Sequence, residues 1–458
     1  MIKEERLNKR KIAKRLAFNC ERLSCSRKTL RDIFEISFYH KDFTLFNVCK
    51  AGEIKDITYG EIKNQVEKFA NHFDKTIGGK TKYVGLLLDN CPEWVSSFYG
   101  LLMAGYIPVL LSTAASNEEN LEILEQLQSK YVVSDKDIGI ATINPFEIAE
   151  ERPIDNLKWV DGVVLVTSGT SGKSKIYLYT GKELANQLLE VPKIIERSPN
   201  IRSTYKGYLK QFLILPLYHI FGFTATFLWF SFYNVTFVIP ESLAADKVKE
   251  AALLTHPTHL LAVPLFWELI TKKIVRAVKE KDATEKFEKA LKFSIKLQKT
   301  TGKCGQKFVK NFSFKKYLNM ILGRSFGFCV TGGTAISEDT LRTMNALGYP
   351  LVNGYGSTEI GISSFANTKK IKSRLLTTIG KPFDNYKYEI SKDKELLVTT
   401  EAGYHSVFVD GEFIDRNYNE PIHTNDLCDD EYYKFYIRGR LDELYIGRNG
   451  ENYSLPRI

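Results

Sequence analysis

Tyr83-Val84-Gly85-Leu86-Leu87-Leu88, then Asp89-Asn90-Cys91-Pro92-Glu93, then Tyr106-Ile107-Pro108-Val109-Leu110-Leu111: this stretch decides the fold class. The first run has the length and composition of a buried strand. The polar residues and proline behind it are turn and cap residues that open a helix, which the pattern carries to about Gly105. The last run is a second strand. Strand, helix and strand in this order require a crossover connection, so the sequence predicts an α/β fold of mostly parallel sheets with helices packed on them.

The alternation continues in both directions. Upstream, Ile57-Thr58-Tyr59-Gly60-Glu61 reads as a strand running into a helix start. Residues 1–40 mix basic side chains with apolar ones at helical spacing, including Leu7, Ile12, Leu16 and Leu23, an amphipathic helical lead-in. Downstream, strands are expected at Val163 to Val166, Ile176 to Tyr179, Phe212 to Leu215, Val235 to Ile239, Leu260 to Val263, Phe326 to Val330 and Pro350 to Val352. From about residue 385 short polar–apolar alternations take over (Tyr386 to Ile390, Glu395 to Thr399, Tyr432 to Ile437). Residues 1–385 are therefore read as the α/β part, and 386–440 as a smaller β-rich subdomain.

The 458 residues are 44% hydrophobic and 26% charged, ordinary globular composition for more than one folding unit. Seven cysteines without CxxC pairs or repeating spacing read as reduced thiols of a cytoplasmic protein, neither a disulfide framework nor a zinc site. No apolar run is long enough for a membrane span, and the charged N-terminus does not lead into a signal-peptide core. The net charge of +10 is uneven. Residues 1–31 carry 11 Lys/Arg against 3 Asp/Glu, and residues 271–325 carry 16 against 4, so the rest of the chain is acidic. The segment 271–325 is read as a basic helical insertion. Either basic segment is suited to rest peripherally on an anionic membrane or to attract the phosphates of an acidic ligand. No nucleic-acid partner is expected.

Four motifs carry chemistry. Val166-Thr167-Ser168-Gly169-Thr170-Ser171-Gly172-Lys173-Ser174-Lys175 follows one strand and precedes another. Its glycines let backbone N–H groups converge on an anion, its hydroxyls add donors and its lysines add point charge, which is what a triphosphate needs. It is not a P-loop, because two residues instead of four separate Gly169 from Gly172 and a strand follows instead of a helix. Thr331-Gly332-Gly333-Thr334-Ala335 is a turn at the carboxyl end of a strand, where open α/β sheets bind ligands, and Ser337 caps the helix beginning at Glu338.

Asn353-Gly354-Tyr355-Gly356-Ser357-Thr358-Glu359 flanks an aromatic, suited to stack on a purine, with glycines. Its hydroxyls precede a carboxylate of the kind that holds Mg²⁺ beside phosphates. Finally, His423-Thr424-Asn425-Asp426-Leu427 precedes Ile437-Arg438-Gly439-Arg440-Leu441-Asp442. Asp426 suits both hydroxyls of a ribose, and Arg440 suits a ribose or a phosphate.

In this order the four motifs resemble those of the adenylate-forming (AMP-binding) superfamily, which includes acyl-CoA synthetases, firefly luciferase and the adenylation domains of peptide synthetases. Asn90-Cys91-Pro92-Glu93-Trp94 and Pro216-Leu217-Tyr218-His219-Ile220-Phe221-Gly222 add to the likeness, which runs from about Thr58 to the end. The basic insertion and the tail Asn449-Gly450-Glu451-Asn452-Tyr453-Ser454-Leu455-Pro456 look most like the long-chain fatty acyl-CoA synthetases.

The resemblance implies a large adenylate-forming domain using ATP, Mg²⁺ and CoA. A carboxylic acid, on this branch a fatty acid, is joined to AMP with release of pyrophosphate and passed to a thiol of CoA or of a carrier protein. A nucleotide sensor without catalysis would carry the same motifs.

The implied roles are these. Thr167, Ser168, Gly169, Thr170, Ser171 and Gly172 wrap the β- and γ-phosphates, with Lys175 at the loop end. Gly332, Gly333, Thr334 and Asn353 line the adenine, on which Tyr355 stacks between Gly354 and Gly356. Ser357 is among the nucleotide-binding residues, Thr358 touches the α-phosphate, and Glu359 binds Mg²⁺. Asp426 and Arg440 hold the ribose, His219 lies near the acyl carboxylate, and Asp442 is a hinge. Thr167, Lys175, Thr358 and Glu359 would carry the catalytic step.

Three departures stand out. Ser174 replaces the family's usual Pro, and Asn425 replaces the usual Gly before the ribose Asp. Residues 441–458 would be the hinge and the start of a small C-terminal domain, which normally brings a lysine that promotes adenylation. Without that lysine, slow turnover is expected. An acyl tunnel is expected among residues 210 to 365, with Phe221, Phe223, Phe227 and Trp229 as candidate walls.

Overall fold

Four helix starts show how the sequence writes its own boundaries. Thr29 with Asp32, Thr58 with Glu61, Ser116 with Glu119 and Thr180 with Glu183 each form a reciprocal capping box. The hydroxyl accepts from a backbone N–H of the first turn, while the carboxylate accepts from the cap N–H. At the other end, Gly78, Gly105 and Gly348 close helices in the left-handed conformation that costs glycine little.

These helices pack on two large sheets in the computed structural model, which describes residues 9–149, 152, 155–167, 174–197, 209–366, 368, 370–432, 434–441, 444–446 and 452–454. The eight-stranded sheet has the spatial order Glu412–Asp415, Ser406–Val409, Lys175–Tyr179, Val163–Thr167, Ile107–Leu110, Tyr83–Leu87, Tyr131–Ser134 and Ala141–Ile143. It is parallel from Val163–Thr167 onward and antiparallel on the side of Lys175–Tyr179. The nine-stranded sheet is parallel from Leu351–Ser357 through Phe328–Thr331, His259–Ala262, Lys210–Phe212 and Thr236–Ile239 to Thr44–Lys50, with antiparallel strands at both edges. The α/β fold with mostly parallel sheets and crossover helices is thus present. The quoted stretch forms the strand Tyr83–Leu87, the helix Pro92–Ala104 and the strand Ile107–Leu110.

Side-chain alternation divides the core into layers. Val163 and Leu165 join one apolar cluster, and Val164 joins another on the opposite face. Leu261, Phe328 and Val330 join the first cluster, whereas Leu260, Ala262 and Cys329 face a third. The first cluster also holds Tyr59, Phe69, Phe73, Trp94, Phe98 and Tyr99, so the helices Tyr59–Ile77 and Pro92–Ala104 fill the space between the two sheets.

The chain beyond Tyr386 does not stay in one sheet. Tyr386–Ile390, Glu395–Thr400, Ile422–Glu431 and Lys434–Arg440 form a four-stranded antiparallel sheet, while Ser406–Val409 and Glu412–Asp415 extend the eight-stranded one. The basic segment forms the helices Pro264–Lys279, Thr284–Thr301, Lys303–Phe308 and Lys315–Ile321, with a π-helix at Val309–Ser313. All seven cysteines are free thiols. No described helix is long and apolar enough to cross a membrane.

Two strand expectations need correction. The strand expected at Phe212 to Leu215 is observed at Lys210–Phe212. Beyond it Leu213 N–H still donates to Val238 O at 2.9 Å, and further on the Asn90 side-chain amide donates to Leu215 O at 2.8 Å and accepts from Leu217 N–H at 2.9 Å, so the segment leaves the sheet and is held by a side chain instead. Conversely, the strand expected to end at Val352 runs through the third motif to Ser357, because Gly361–Phe365 folds back and pairs with it antiparallel.

Candidate active site between the three sheets

Thr167 and Lys175 are register partners across an antiparallel pair. The strands that flank the phosphate-type loop are therefore antiparallel neighbours, in agreement with the strand read after it. The loop residues Ser168, Gly169, Thr170, Ser171 and Gly172 lie outside the described residues, as does Asp442. Thr167 and Lys175 themselves line a cavity of about 390 Å³.

The same cavity is lined by Gly332, Gly333 and Thr334, by the run Gly354-Tyr355-Gly356-Ser357-Thr358-Glu359, and by His219 and Arg440. Thr167 and Lys175 thus come from the eight-stranded sheet, the 332–334 turn and the 354–359 run from the nine-stranded sheet, Arg440 from the four-stranded one, and His219 from the loop before the π-helix Phe221–Leu228. Most sit at carboxyl ends of parallel strands, where the turn frees backbone groups toward a ligand. The glycines are there for space. A Cβ on Gly356 would lie 2.4 Å from Gly361 O, and one on Gly332 would lie 3.1 Å from Gly354 O.

Asp426 and Arg440 stand opposite one another in the four-stranded sheet, with Arg440 Nε 3.8 Å from Asp426 Oδ1. Tyr355 Oη donates to Asp426 Oδ2 at 2.5 Å, so the third and fourth motifs are bonded to each other. Asn425 holds φ +57°, in the left-handed region where glycine is easiest and asparagine is next best. Its N–H donates to Glu395 Oε1 at 2.9 Å.

Asn353 differs from its expected place. It is buried, its amide donates to Thr377 O at 2.8 Å, and it is not part of the cavity wall. Its amide is committed to that backbone carbonyl, so it does not face the cavity.

Glu359 faces the cavity from the turn after Leu351–Ser357. Tyr177 Oη donates to its Oε1 at 3.0 Å; among the described residues no other side chain bonds this carboxylate. Burial, and then the carboxylate itself, push the Tyr177 phenol above its usual range, so it stays protonated and donates. One carboxylate open to the cavity fits Mg²⁺, which commonly takes one or two carboxylates and completes its shell from phosphates and water. His219 is exposed toward the cavity, and the partial desolvation of its ring there lowers its pKa. It therefore presents a neutral imidazole at pH 7, a hydrogen-bonding group instead of a cation.

Away from this polar rim the cavity is apolar. His259, Leu261 and Val263 on one strand, and Phe328, Val330 and Gly332 on its neighbour, lie at every second position of one sheet face. Four residues of strand, from Gly332 back to Phe328, give the trough a length of about 13 Å. Its other walls are Val191, Ile194 and Ile195, and the helical residues Phe221, Ala225 and Trp229, followed by Phe230 and Tyr233.

Phe221 and Trp229 therefore reach the cavity as expected. Phe223 and Phe227 do not: they pack into the core against Phe98 and Phe237 at centroid distances of 5.2 and 5.6 Å. At the inner end, His259 stands edge-on to Phe230 and Phe328, and burial lowers its pKa to about 3.

The sequence reading missed Tyr177, the Val191–Arg197 helix wall and His259. Alternation on Lys175–Tyr179 could have flagged Tyr177; nothing local marks the other two.

Comparison with known proteins follows from this geometry. The family model described as AMP-binding enzyme matches residues 39–418. Among curated proteins, the chain is similar to long-chain-fatty-acid–CoA ligase 1 of Schizosaccharomyces pombe. The two are 27% identical over 216 residues, which cover 44% of this chain and 29% of the relative. It is also similar to long-chain-fatty-acid–CoA ligase ACSBG2 of Gallus gallus, 24% identical over 497 residues, covering 93% of this chain and 62% of the relative. The chain thus spans less than two thirds of either relative. Among solved structures, o-succinylbenzoate CoA synthetase (MenE) from Bacillus subtilis, in complex with the acyl-adenylate intermediate OSB-AMP, superposes with a TM-score of 0.70 at 18% identity. That superposition covers 92% of this chain and 80% of the other, and at this identity it establishes the fold.

Proposed function

The chain belongs to the AMP-binding enzyme family, and from that premise we propose that it activates an apolar carboxylic acid, of fatty-acid type, as its acyl-adenylate for transfer to the thiol of CoA. The observation that carries this reading is the single cavity that joins a polar rim of strand-end turns to an apolar trough. A nucleotide alone needs no such trough, and a fatty acid alone needs no such rim.

In this reading the acid lies with its chain in the trough and its carboxylate beside His219. A carboxylate is a poor acyl donor because its leaving group would be oxide. Its oxygen attacks the α-phosphorus of ATP, the P–O bond to pyrophosphate breaks, and the resulting acyl-AMP has a good leaving group for a thiol. Thr167, the phosphate-type loop and Lys175 hold the β- and γ-phosphates. Gly332, Gly333, Thr334 and Tyr355 bound the adenine, Thr358 adjoins the α-phosphate, and Asp426 and Arg440 hold the ribose.

Mg²⁺ bound through Glu359 would neutralise charge on the phosphate oxygens. One Lys–phosphate contact contributes roughly 4 kcal/mol at 4 Å with an effective dielectric near 20. Enzymatic accelerations require about 8–23 kcal/mol, so loop donors, lysine and carboxylate-held charge must act together.

Exchange of labelled pyrophosphate into ATP tests this directly. Exchange should depend on an added long-chain carboxylic acid and should fall at least about a hundredfold in Glu359→Gln, the scale of losing one electrostatic stabiliser. Exchange without acid, or an unaffected variant, would contradict the assignment. Adenylate binding with no exchange for any acid would contradict catalysis.

A further inference from the structure

Lys175, Tyr177 and Tyr179 occupy alternate positions of one strand and so share one of its faces, while Ile176 packs into the apolar layer behind. All three reach the same place. Lys175 lines the cavity, Tyr177 Oη donates to Glu359 Oε1 at 3.0 Å, and Tyr179 Oη donates to Thr358 O at 2.6 Å. The backbone of the turn at 358–360 has further supports. Tyr404 N–H donates to Glu359 O at 3.0 Å, and Tyr386 Oη donates to Ile360 O at 3.0 Å. Each carbonyl of the turn is thus held without Tyr177, which is the described side chain that grips the carboxylate itself.

We propose that Tyr177 is a positioning residue, which anchors one oxygen of Glu359 so that the other is presented to a divalent cation in the cavity. The inference rests on reading Glu359 as the cation ligand. A glutamate on a turn has several rotamers open to it, and ordering them opposes cation binding. A hydrogen bond from a rigid, buried ring removes that freedom beforehand, as partners of metal ligands generally do. Because Tyr177 follows Lys175 by two residues, the same strand that leaves the phosphate-type loop also sets the cation carboxylate. The nucleotide's phosphates and its cation are thereby located by one rigid element.

The test uses the full chain with a non-hydrolysable ATP analogue and Mn²⁺, counting free Mn²⁺ by electron paramagnetic resonance. Tyr177→Phe keeps the ring, which packs 5.0 Å from Tyr404, and removes the hydroxyl. It should weaken Mn²⁺ binding to the nucleotide complex about tenfold, the worth of one hydrogen bond to a charged group. Its affinity for the analogue without cation should be unchanged, and excess cation should restore exchange activity. Tyr179→Phe removes a fully buried hydroxyl from a backbone carbonyl and should stay within about threefold of the parent. Glu359→Gln should lose at least as much as Tyr177→Phe.

Parental affinity in Tyr177→Phe, with Glu359→Gln weakened, overturns the positioning role alone. Parental affinity in Glu359→Gln overturns the reading beneath it. Equal weakening in both tyrosine variants would show a general loosening of the strand and would also overturn the proposal.

Discussion

Lys310 is fully enclosed, with its ammonium 5.6 Å from the centre of the Tyr349 ring and donating to Phe326 O. Burial lowers its pKa to about 8. The unfolded chain, with an ordinary lysine pKa, binds the proton more tightly, so between about pH 8 and 10 the unfolded state carries more protons. Stability contributed by this residue is complete above that window and is lost as pH falls through it. Urea unfolding of the parent and of Lys310→Met should therefore differ in slope: parental stability should rise relative to the variant from pH 8 to 10, by roughly 3 kcal/mol at most. Parallel pH curves would contradict the account.

At this scale chemistry is legible in sequence only where a residue's neighbours in the chain decide its role. Asn425, standing where the family usually has Gly, takes a left-handed backbone that asparagine tolerates better than most residues. Asn353 misleads, because its amide is claimed by Thr377, 24 residues away in sequence. Alternation can place Tyr177 on the face of Lys175, but not its partner, because Glu359 lies 182 residues further on.

Elements were read best where they end in chemistry of their own. Capping residues mark helix starts such as Tyr59–Ile77, and glycines mark helix ends. Strand ends were read worst, because they depend on the partner. The strand expected to reach Leu215 ends at Phe212, with Leu215 and Leu217 bonded by the Asn90 side chain instead of a strand, and the one expected to stop at Val352 is prolonged by a hairpin.

The π-helix Phe221–Leu228 left no periodic signature, yet Phe221, Ala225 and Trp229 on one of its sides become cavity wall. Its geometry rests on Gly222, where a Cβ would sit 1.9 Å from Pro216 O. Gly222→Ala should cost about 3 kcal/mol or more, from overpacking against backbone that cannot retreat. Gly78→Ala is the control: its left-handed backbone strains an alanine, but there is open space around it, so it should cost about 1 kcal/mol. Urea midpoints give both values, and a Gly222 variant no less stable than the Gly78 variant would contradict the packing argument.

For the whole molecule, a few strand–helix–strand units and four short motifs were enough to place the chain in its fold class, because each unit states its own connection rule. The sequence could not show how the motifs converge. Gly332 and Tyr355 belong to neighbouring strands of the nine-stranded sheet, Lys175 to the eight-stranded sheet and Arg440 to the four-stranded one, and only tertiary packing gathers them around one volume. The apolar trough was still less legible, since alternate residues of a strand such as Leu261 and Leu260 are equally apolar while one lines the cavity and the other is core.

The central claim is that rim and trough form one site, so the measurement that tests it most directly is calorimetric binding of a non-reactive acyl-adenylate mimic with short, medium and long acyl chains. Every member should bind through the shared adenylate rim. Affinity should then strengthen with chain length, by up to about 0.8 kcal/mol for each methylene buried, until the trough is filled. Absence of binding at every length, or affinity that weakens as the chain grows, would contradict the account.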